Sequence, residues 1–464
     1  MATSKETLLK AREVLSLPDL RRTFRDRLIA PDDPRYDQAR QVFYGGFDCH
    51  PAVIIRPADA DDVARVIALA RETHLELAIR SGGHSLAGHS ISEGGIVLDL
   101  TAMKNLQIDL NKRTAWAQTG LTAGEYTQSA AEHGLATGFG DTGSVGLGGL
   151  TLGGGMGYLV RKYGLTIDDL LAAEIVTADG RILRIDADSH PDLFWAIRGG
   201  GGNFGVATRF QFRLHELPTV VGGMLILPAT PDTIADFIGE AENASEALSS
   251  IANVMVAPPM PFLPPEVHGK VVLMAMLIYA GETGAGERAL EPFRKLAVPL
   301  ADMIKPMRYP DIYEGEQAGF HPLGLGHSMY LADVDRRLAS TIIDHLRTST
   351  AFLSVAQLRV LGGALARVPA DETAFSHRQS RIMANLGVLY QDEAQKPVQQ
   401  AWLKDFAAAL PQNIPGAYVN FLGDEGPERV RSAYSDRTWE RLQLIKSRYD
   451  PGNLFRLNQN IPPR

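Results

Sequence analysis

Apolar positions along the chain fall into short runs at two spacings. The runs PAVIIRP (residues 51–57), LELAI (75–79), GIVLDL (95–100) and AWAQTG (115–120) read as strands. Between the first two, Val63, Val66, Ile67 and Leu69 recur at helical spacing. Asp59, Asp61 and Asp62 precede them, and acids favour a helix N-terminus, so these three are expected to be solvated there. LTAGEYTQSAAEHGL (121–135) reads as a helix stopped near Gly134. LAAEIVTADGRILRI (171–185) reads as a hairpin turning at Ala178, Asp179 and Gly180. HPDLFWAIRG (190–199) reads as a short helix. Residues 1–50 begin as a mixed-charge helix and end in a loop with Pro31, Pro34, Gly45 and Gly46.

The texture changes after Leu217-Pro218. Strand-like runs (GGMLILPA, NVMVAPPM, KVVLMAMLIYAG) alternate with helical ones (PDTIADFIGEAENASEAL, DVDRRLASTIIDHLRTS), which fits helices on an antiparallel sheet in a separate α+β unit. GAYVNFLGDE (416–425) reads as a strand that puts Tyr418 and Asn420 on one face. TWERLQLIKSRYDPGNLFRLNQNIPP (438–463) reads as a helix, a stop at Asp450-Pro451-Gly452, and an extended polar end. The expected organisation is residues 1–218, with a core from about 35, then 219–425, then 426–464 returning to the first unit.

Composition narrows the function classes. The 464 residues are 45% hydrophobic and 22% charged, an ordinary globular balance. A formal net charge of −8 argues against nucleic acid or an anionic membrane as partner. Cys49 is the single cysteine, so no internal disulfide framework exists. No secretory h-region and no run of about 18 apolar residues is visible, so a cytoplasmic protein without a membrane span is expected. The twelve histidines lack metal-binding spacing, so no metal is expected. Oligomeric state is not legible.

Three glycine clusters carry the candidate chemistry. RSGGHSLAGHS (80–90) lies between two strands. Successive amides in such a loop can converge on an anion, and His84 at its centre is either a hydrogen-bond donor or an attachment point. GDTGSVGLGGLTLGGGMG (140–157) is half glycine. Each glycine weakens an element interior by roughly 0.5–1 kcal/mol, so an extended backbone against a large flat or phosphorylated ligand is expected. Val145, Leu147, Leu150, Leu152 and Met156 recur through it, unlike a flexible linker. In GGGGNFG (199–205), Gly200, Gly202 and Gly205 match GxGxxG, but the motif follows a helix and opens the strand VATRFQFRLHEL. That context speaks against a Rossmann domain and NAD(P).

These clusters, with GLTIDDLL, VTADG, DLFWAIRGGGGNFG, AYVNF and the YDPGNLFRLNQNIPP tail, resemble the berberine-bridge-enzyme-like flavoprotein oxidases of the vanillyl-alcohol-oxidase, or p-cresol-methylhydroxylase (PCMH), flavin fold. The resemblance runs in order from about residue 35 to 463. It implies an α+β two-domain flavoprotein, with a PCMH-type FAD-binding domain and an antiparallel-sheet substrate domain. It implies FAD attached through His84. Arg80, Ser81, Gly82, Gly83, Ser85, Gly88, His89 and Ser90 match the loop around the pyrophosphate. Asp141, Thr142, Val145, Gly146, Gly148, Gly149, Gly153, Gly154, Gly155, Gly157 and Tyr158 match the segment along the isoalloxazine and phosphates. Gly205 and Val206 match the adenine end, and Asn458 and Gln459 match C-terminal flavin contacts. Tyr418 and Asn420 match the family's Tyr-x-Asn motif, the tyrosine serving as general base. Val145 matches a position where valine goes with access for dioxygen.

The sequence also departs from the family. Many members carry a second flavin link through a cysteine where this chain has Thr142, and a hydroxyl lacks a thiolate's nucleophilicity. One link, at His84 only, is expected. Thr438 stands where relatives often show asparagine, so no contact is assigned to it.

The resemblance implies an oxidase moving a hydride from an alcohol or amine carbon of a small organic substrate to flavin N5, with O2 reduced to H2O2. Sugars, secondary alcohols, amines and polyketide-like phenols are all compatible. Oxidative cyclisation or oxygenation, and an oxygen-insensitive dehydrogenase, stand as alternatives. A tyrosine base, ordinarily titrating at about 10, needs downward tuning, and His377 and Arg378 are candidates for a nearby cation. Asp168 and Asp169 read as a solvated helix start.

Overall fold

The computed structural model describes residues 11, 13–313 and 319–464. The expected N-terminal helix falls largely outside them, and its described part is a helix at Leu17–Phe24. Strands β1 (Leu28–Ile29), β2 (Val53–Ile55), β3 (Leu77–Arg80) and β4 (Ile96–Asp99) form a sheet in the order β1-β2-β4-β3. β2, β4 and β3 run parallel. They are almost wholly buried, as a parallel sheet covered on both faces requires. The RSGGHS loop leaves the end of β3. There Arg80 is 5% exposed, faces Asp99 of β4 at 3.2 Å, and donates to the carbonyls of Ala39 (2.6 Å) and Gln41 (3.1 Å).

Strands β5 (Leu106–Asp109), β6 (Thr114–Gln118), β7 (Leu170–Val176), β8 (Ile182–Asp186) and β9 (Val206–Arg213) form an antiparallel sheet in the order β5-β6-β9-β7-β8. β7 and β8 are the expected hairpin. Helices at Ala60–Thr73 and Ala123–Ala131 start where the sequence places them, capped by the side chains of Asp59 and Thr122.

Beyond residue 219, strands β10 (Val220–Pro228), β11 (Leu248–Val256), β12 (Val271–Tyr279), β13 (Ala301–Asp302), β14 (Lys305–Met307), β15 (Leu323–Leu331), β16 (Leu353–Val360) and β17 (Ile382–Tyr390) make one antiparallel sheet. Its order is β13-β10-β12-β11-β16-β17-β15, and β14 also pairs with β10. Helices at Pro231–Asn243, Arg336–Thr348 and Lys396–Ala409 pack on one face. The opposite face looks towards the glycine clusters. Among the described residues no helix is long and apolar enough to cross a membrane.

Four expectations are corrected. The glycine-rich run is not extended throughout: Leu147–Gly153 is a short helix. Burial of Leu147, Leu150 and Leu152 in the core offsets the glycine cost. Tyr418 and Asn420 do not lie on a strand, because Val419–Phe421 is a 3-10 turn closed by the Phe421 amide on the Tyr418 carbonyl (2.9 Å). Asp62 is 3% exposed and binds Arg27, Arg65 and the Ala58 amide instead of water. Asp168 takes a bidentate pair from Arg378, both bonds 2.7 Å, and Asp169 is buried against His215 at 2.7 Å. Both acids therefore hold elements together.

The tail helix, Asp436–Tyr449, ends in a buried ion pair. Lys446 Nζ donates to Asp450 (2.7 Å), to the Asn203 carbonyl (2.8 Å) and to the Phe455 carbonyl (2.9 Å). Asp450 in turn accepts from the Leu454 and Phe455 amides. Removing one partner strands a buried charge, so Asp450→Ala is expected to lower the unfolding free energy by about 3–5 kcal/mol, read from urea denaturation.

Candidate active site

The glycine loop, the glycine-rich run, the third cluster and the tail enclose a cavity of about 560 Å³ against the substrate sheet. The first two meet backbone to backbone. A Cβ on Gly82 would strike the Gly146 amide, and one on Gly146 would strike Gly82 and the Ser81 hydroxyl. Only glycine permits that approach. Ser81, Gly82, Gly83, His84, Ser85, His89 and Ser90 line the cavity, with Asp141, Thr142, Val145, Gly146, Gly148, Gly149, Gly155, Gly205, Val206, Tyr418, Asn420, Asn458 and Gln459.

The other expected residues stand behind this wall. Arg80 anchors the loop, as described above. A Cβ on Gly88 would meet the Phe47 ring, on Gly153 the Asn420 carboxamide, on Gly154 the Tyr418 ring, and on Gly157 the Phe139 carbonyl. Tyr158 is buried against Tyr313.

His84 is held on two sides. Its ring stacks on Phe43 (centroids 4.1 Å apart, planes 20°) and its Nε2 lies 2.9 Å from Ser144 Oγ. Thr142 Oγ1 donates to Asp141 at 3.3 Å.

Tyr418 is 2% exposed. Its Oη accepts hydrogen bonds from the Gly155 amide (2.9 Å), the Met156 amide (3.1 Å) and Asn420 Nδ2 (3.1 Å). Asn420 Nδ2 also donates to the Leu150 carbonyl at 3.0 Å, which fixes the carboxamide. Burial pushes the phenol above its ordinary value, while those three donors and the Arg359 cation pull the other way.

The expected cation is corrected. His377 and Arg378 do not line the cavity. His377 stacks on Tyr330 and is pushed down to about 4 by burial, so it is neutral at pH 7. Arg378 is 0% exposed, in its pair with Asp168. The cation beside Tyr418 is Arg359 on β16, 3% exposed. It is ion-paired with Asp141, donates to Gln357 Oε1 (2.6 and 3.0 Å), and lies over the Phe421 ring at 5.2 Å. Gln357 and Arg359 are two residues apart on one face of an inner strand whose alternate residues pack under helices. That alternation was the available signal. Asn385, opposite Gln357 on β17 between Ala384 and Leu386 of the core, carried the same signal, and Ser144 and Phe43 carried none.

Among the described residues no cluster of three or more His, Cys, Asp or Glu side chains could hold a metal ion. A large flat ligand does fit. Gly149 and Gly202 line the cavity with open space where a side chain would stand.

A fold of this kind around such a cavity defines an α+β, two-domain flavoprotein oxidoreductase. Residues 51–186 match the FAD binding domain family, and residues 417–462 the berberine and berberine-like family. An uncharacterized FAD-linked oxidoreductase of Bacillus subtilis, YvdP, is 31% identical over 452 residues, covering 94% of this chain and 98% of that protein. The (R)-6-hydroxynicotine oxidase of Paenarthrobacter nicotinovorans is 30% identical over 456 residues, covering 94% and 96%. Among solved structures, 6-hydroxy-D-nicotine oxidase from Arthrobacter nicotinovorans superposes with a TM-score of 0.84 at 26% identity, covering 95% of this chain and 98% of that one. A berberine-bridge-enzyme-like protein of Physcomitrella patens superposes with a TM-score of 0.83 at 21% identity, covering 100% of both, a likeness of fold. The chain belongs to the berberine-bridge-enzyme-like FAD-linked oxidoreductases, and its cofactor is FAD.

Two glycine substitutions separate architecture from ligand space. Gly149→Leu is expected to leave the melting temperature within a few degrees while lowering the flavin-to-protein absorbance ratio. Gly82→Ala, which collides with backbone, is expected to lower both.

Proposed function

We propose that this enzyme is an oxidase that takes a hydride from an alcohol or amine carbon of a small organic substrate and passes the electrons to O2, giving H2O2. The observation that carries the reading is that the Tyr418 phenol, the Arg359 cation and the His84 ring open onto one cavity. When bound, FAD supplies the hydride acceptor. His84 is read as its single covalent anchor. Thr142 stands where a second anchor would need a thiol, and Cys49 does not line the cavity.

Tyr418 takes the proton from the substrate O–H or N–H. The amides of Gly155 and Met156 and the Asn420 carboxamide hold its oxygen in place and stabilise the phenolate that accepts the proton. Arg359 adds a positive charge, and Asp141 and Gln357 hold the guanidinium. The apolar walls exclude water from the reacting carbon. Val145 is read as leaving room for dioxygen. Relatives in fold include a chitooligosaccharide oxidase and a grass pollen allergen with glucose dehydrogenase activity, and oxygen use is what separates the two readings.

Steady H2O2 formation under air with a reducing substrate tests the oxidase reading, and its absence points to a dehydrogenase. Tyr418→Phe is expected to slow flavin reduction by roughly 10²–10⁴-fold. Only the phenolate accepts a proton, and burial holds the phenol above its ordinary value. The reduction rate should therefore rise about tenfold per pH unit through neutrality and continue to rise beyond about pH 10. Arg359→Gln should lower the rate at pH 7. Acid precipitation should leave the flavin in the wild-type pellet and release it from His84→Ala.

A further inference from the structure

We propose that the substrate is a small, flat, mostly apolar alcohol or amine with one polar group besides the reacting one, and that Asn385 receives that second group. This rests on the oxidase reading above and adds to it the chemistry the pocket accepts.

The inference comes from which polar groups of the wall are already engaged. A row of polar residues crosses four neighbouring strands in register: Asn253 on β11, Gln357 on β16, Asn385 on β17 and Ser328 on β15. Gln357 Nε2 donates to Asn253 Oδ1 (3.0 Å), and Asn253 Nδ2 donates to the Met274 carbonyl (3.2 Å). Gln357 Oε1 takes two bonds from Arg359. Ser328 Oγ accepts from the Tyr418 amide at 3.1 Å. Asp141 is held by Arg359 and Thr142. In this row only the Asn385 side-chain oxygen lacks a hydrogen-bond partner among the described residues, and Asn385 lines the cavity. A buried carboxamide oxygen without a partner is unfavourable, and a ligand group beside it removes that penalty.

The rest of this wall is aromatic or aliphatic: Phe43, Tyr44, Phe320, Leu389 and Phe421. A sugar carries a hydroxyl on almost every carbon, and most of these would face carbon. An aryl carbinol or arylmethylamine places its ring against that surface, its reacting group at Tyr418 and one further group at Asn385. Arg359 favours the neutral form of an amine over its cation.

Anaerobic mixing of the holoenzyme with benzyl alcohol, benzylamine, the three ring-hydroxylated benzyl alcohols, D-glucose and cellobiose tests this, with flavin bleaching as the readout. The aryl compounds should bleach the flavin faster than either sugar at equal concentration, and one hydroxylated isomer should show the lowest Kd. Asn385→Leu should raise the Kd of that isomer about tenfold more than that of benzyl alcohol. Asn385→Ser should show the same difference, and it serves if the leucine variant does not fold. Faster bleaching by the sugars, bleaching by neither class, no preference among the hydroxylated isomers, or an equal loss for both alcohols would overturn the proposal. A substrate-reduced enzyme that stays reduced in air would overturn the oxidase reading and leave this one standing.

Discussion

The site depends on two loops whose backbones touch. Gly82 and Gly146 approach so closely that neither tolerates a side chain, and this contact places the His84 loop beside the glycine-rich run. Both loops are held from behind. The Arg80–Asp99 pair fixes one, and the buried leucines of Leu147–Gly153 fix the other. Glycine thus has two distinct roles here. At Gly82, Gly146 and Gly153 it lets protein meet protein. At Gly149 and Gly202 it leaves space.

Electrostatics at the substrate end follow from the same closeness. Arg359 comes from the sheet and Asp141 from the run, so their pair joins the two halves of the molecule across the cavity. A buried guanidinium is tolerated because every nitrogen has an acceptor: Gln357, Asp141 or the Met156 carbonyl. The Tyr418 oxygen is likewise surrounded by donors, so its position is set by backbone amides that no side-chain exchange can remove.

Much of this was legible in the chain. The short apolar runs gave β3, β4, the β7–β8 hairpin and β10, β11 and β12 of the substrate sheet, because strands buried on both faces leave nearly unbroken apolar stretches. The ordered glycine motifs identified the family. Five readings failed where packing or a local turn overrode a simpler signal. Asp62, Asp168 and Asp169 look like solvated acids until arginines and a histidine from distant parts of the chain arrive. Glycine content masked the short helix at Leu147–Gly153. A single alternating stretch suggested a strand at Tyr418, where a 3-10 turn forms. The cation beside Tyr418 was sought near residue 378 and lies at 359, where Ala356, Leu358 and Val360 pack under the helices and leave Gln357 and Arg359 on the cavity face.

The tail shapes how such an enzyme can be made. Lys446 and Asp450 dock the last helix against the third glycine cluster, and the Ile461 amide then binds Asn203 Oδ1 at 2.9 Å, across 258 residues of sequence. Asn458 and Gln459 complete the cavity from that tail. In the order of synthesis the glycine loop comes well before the tail that closes the cavity. A polypeptide cut before Asn458 would lack that part of the wall, so the cradle is complete only when the tail has docked.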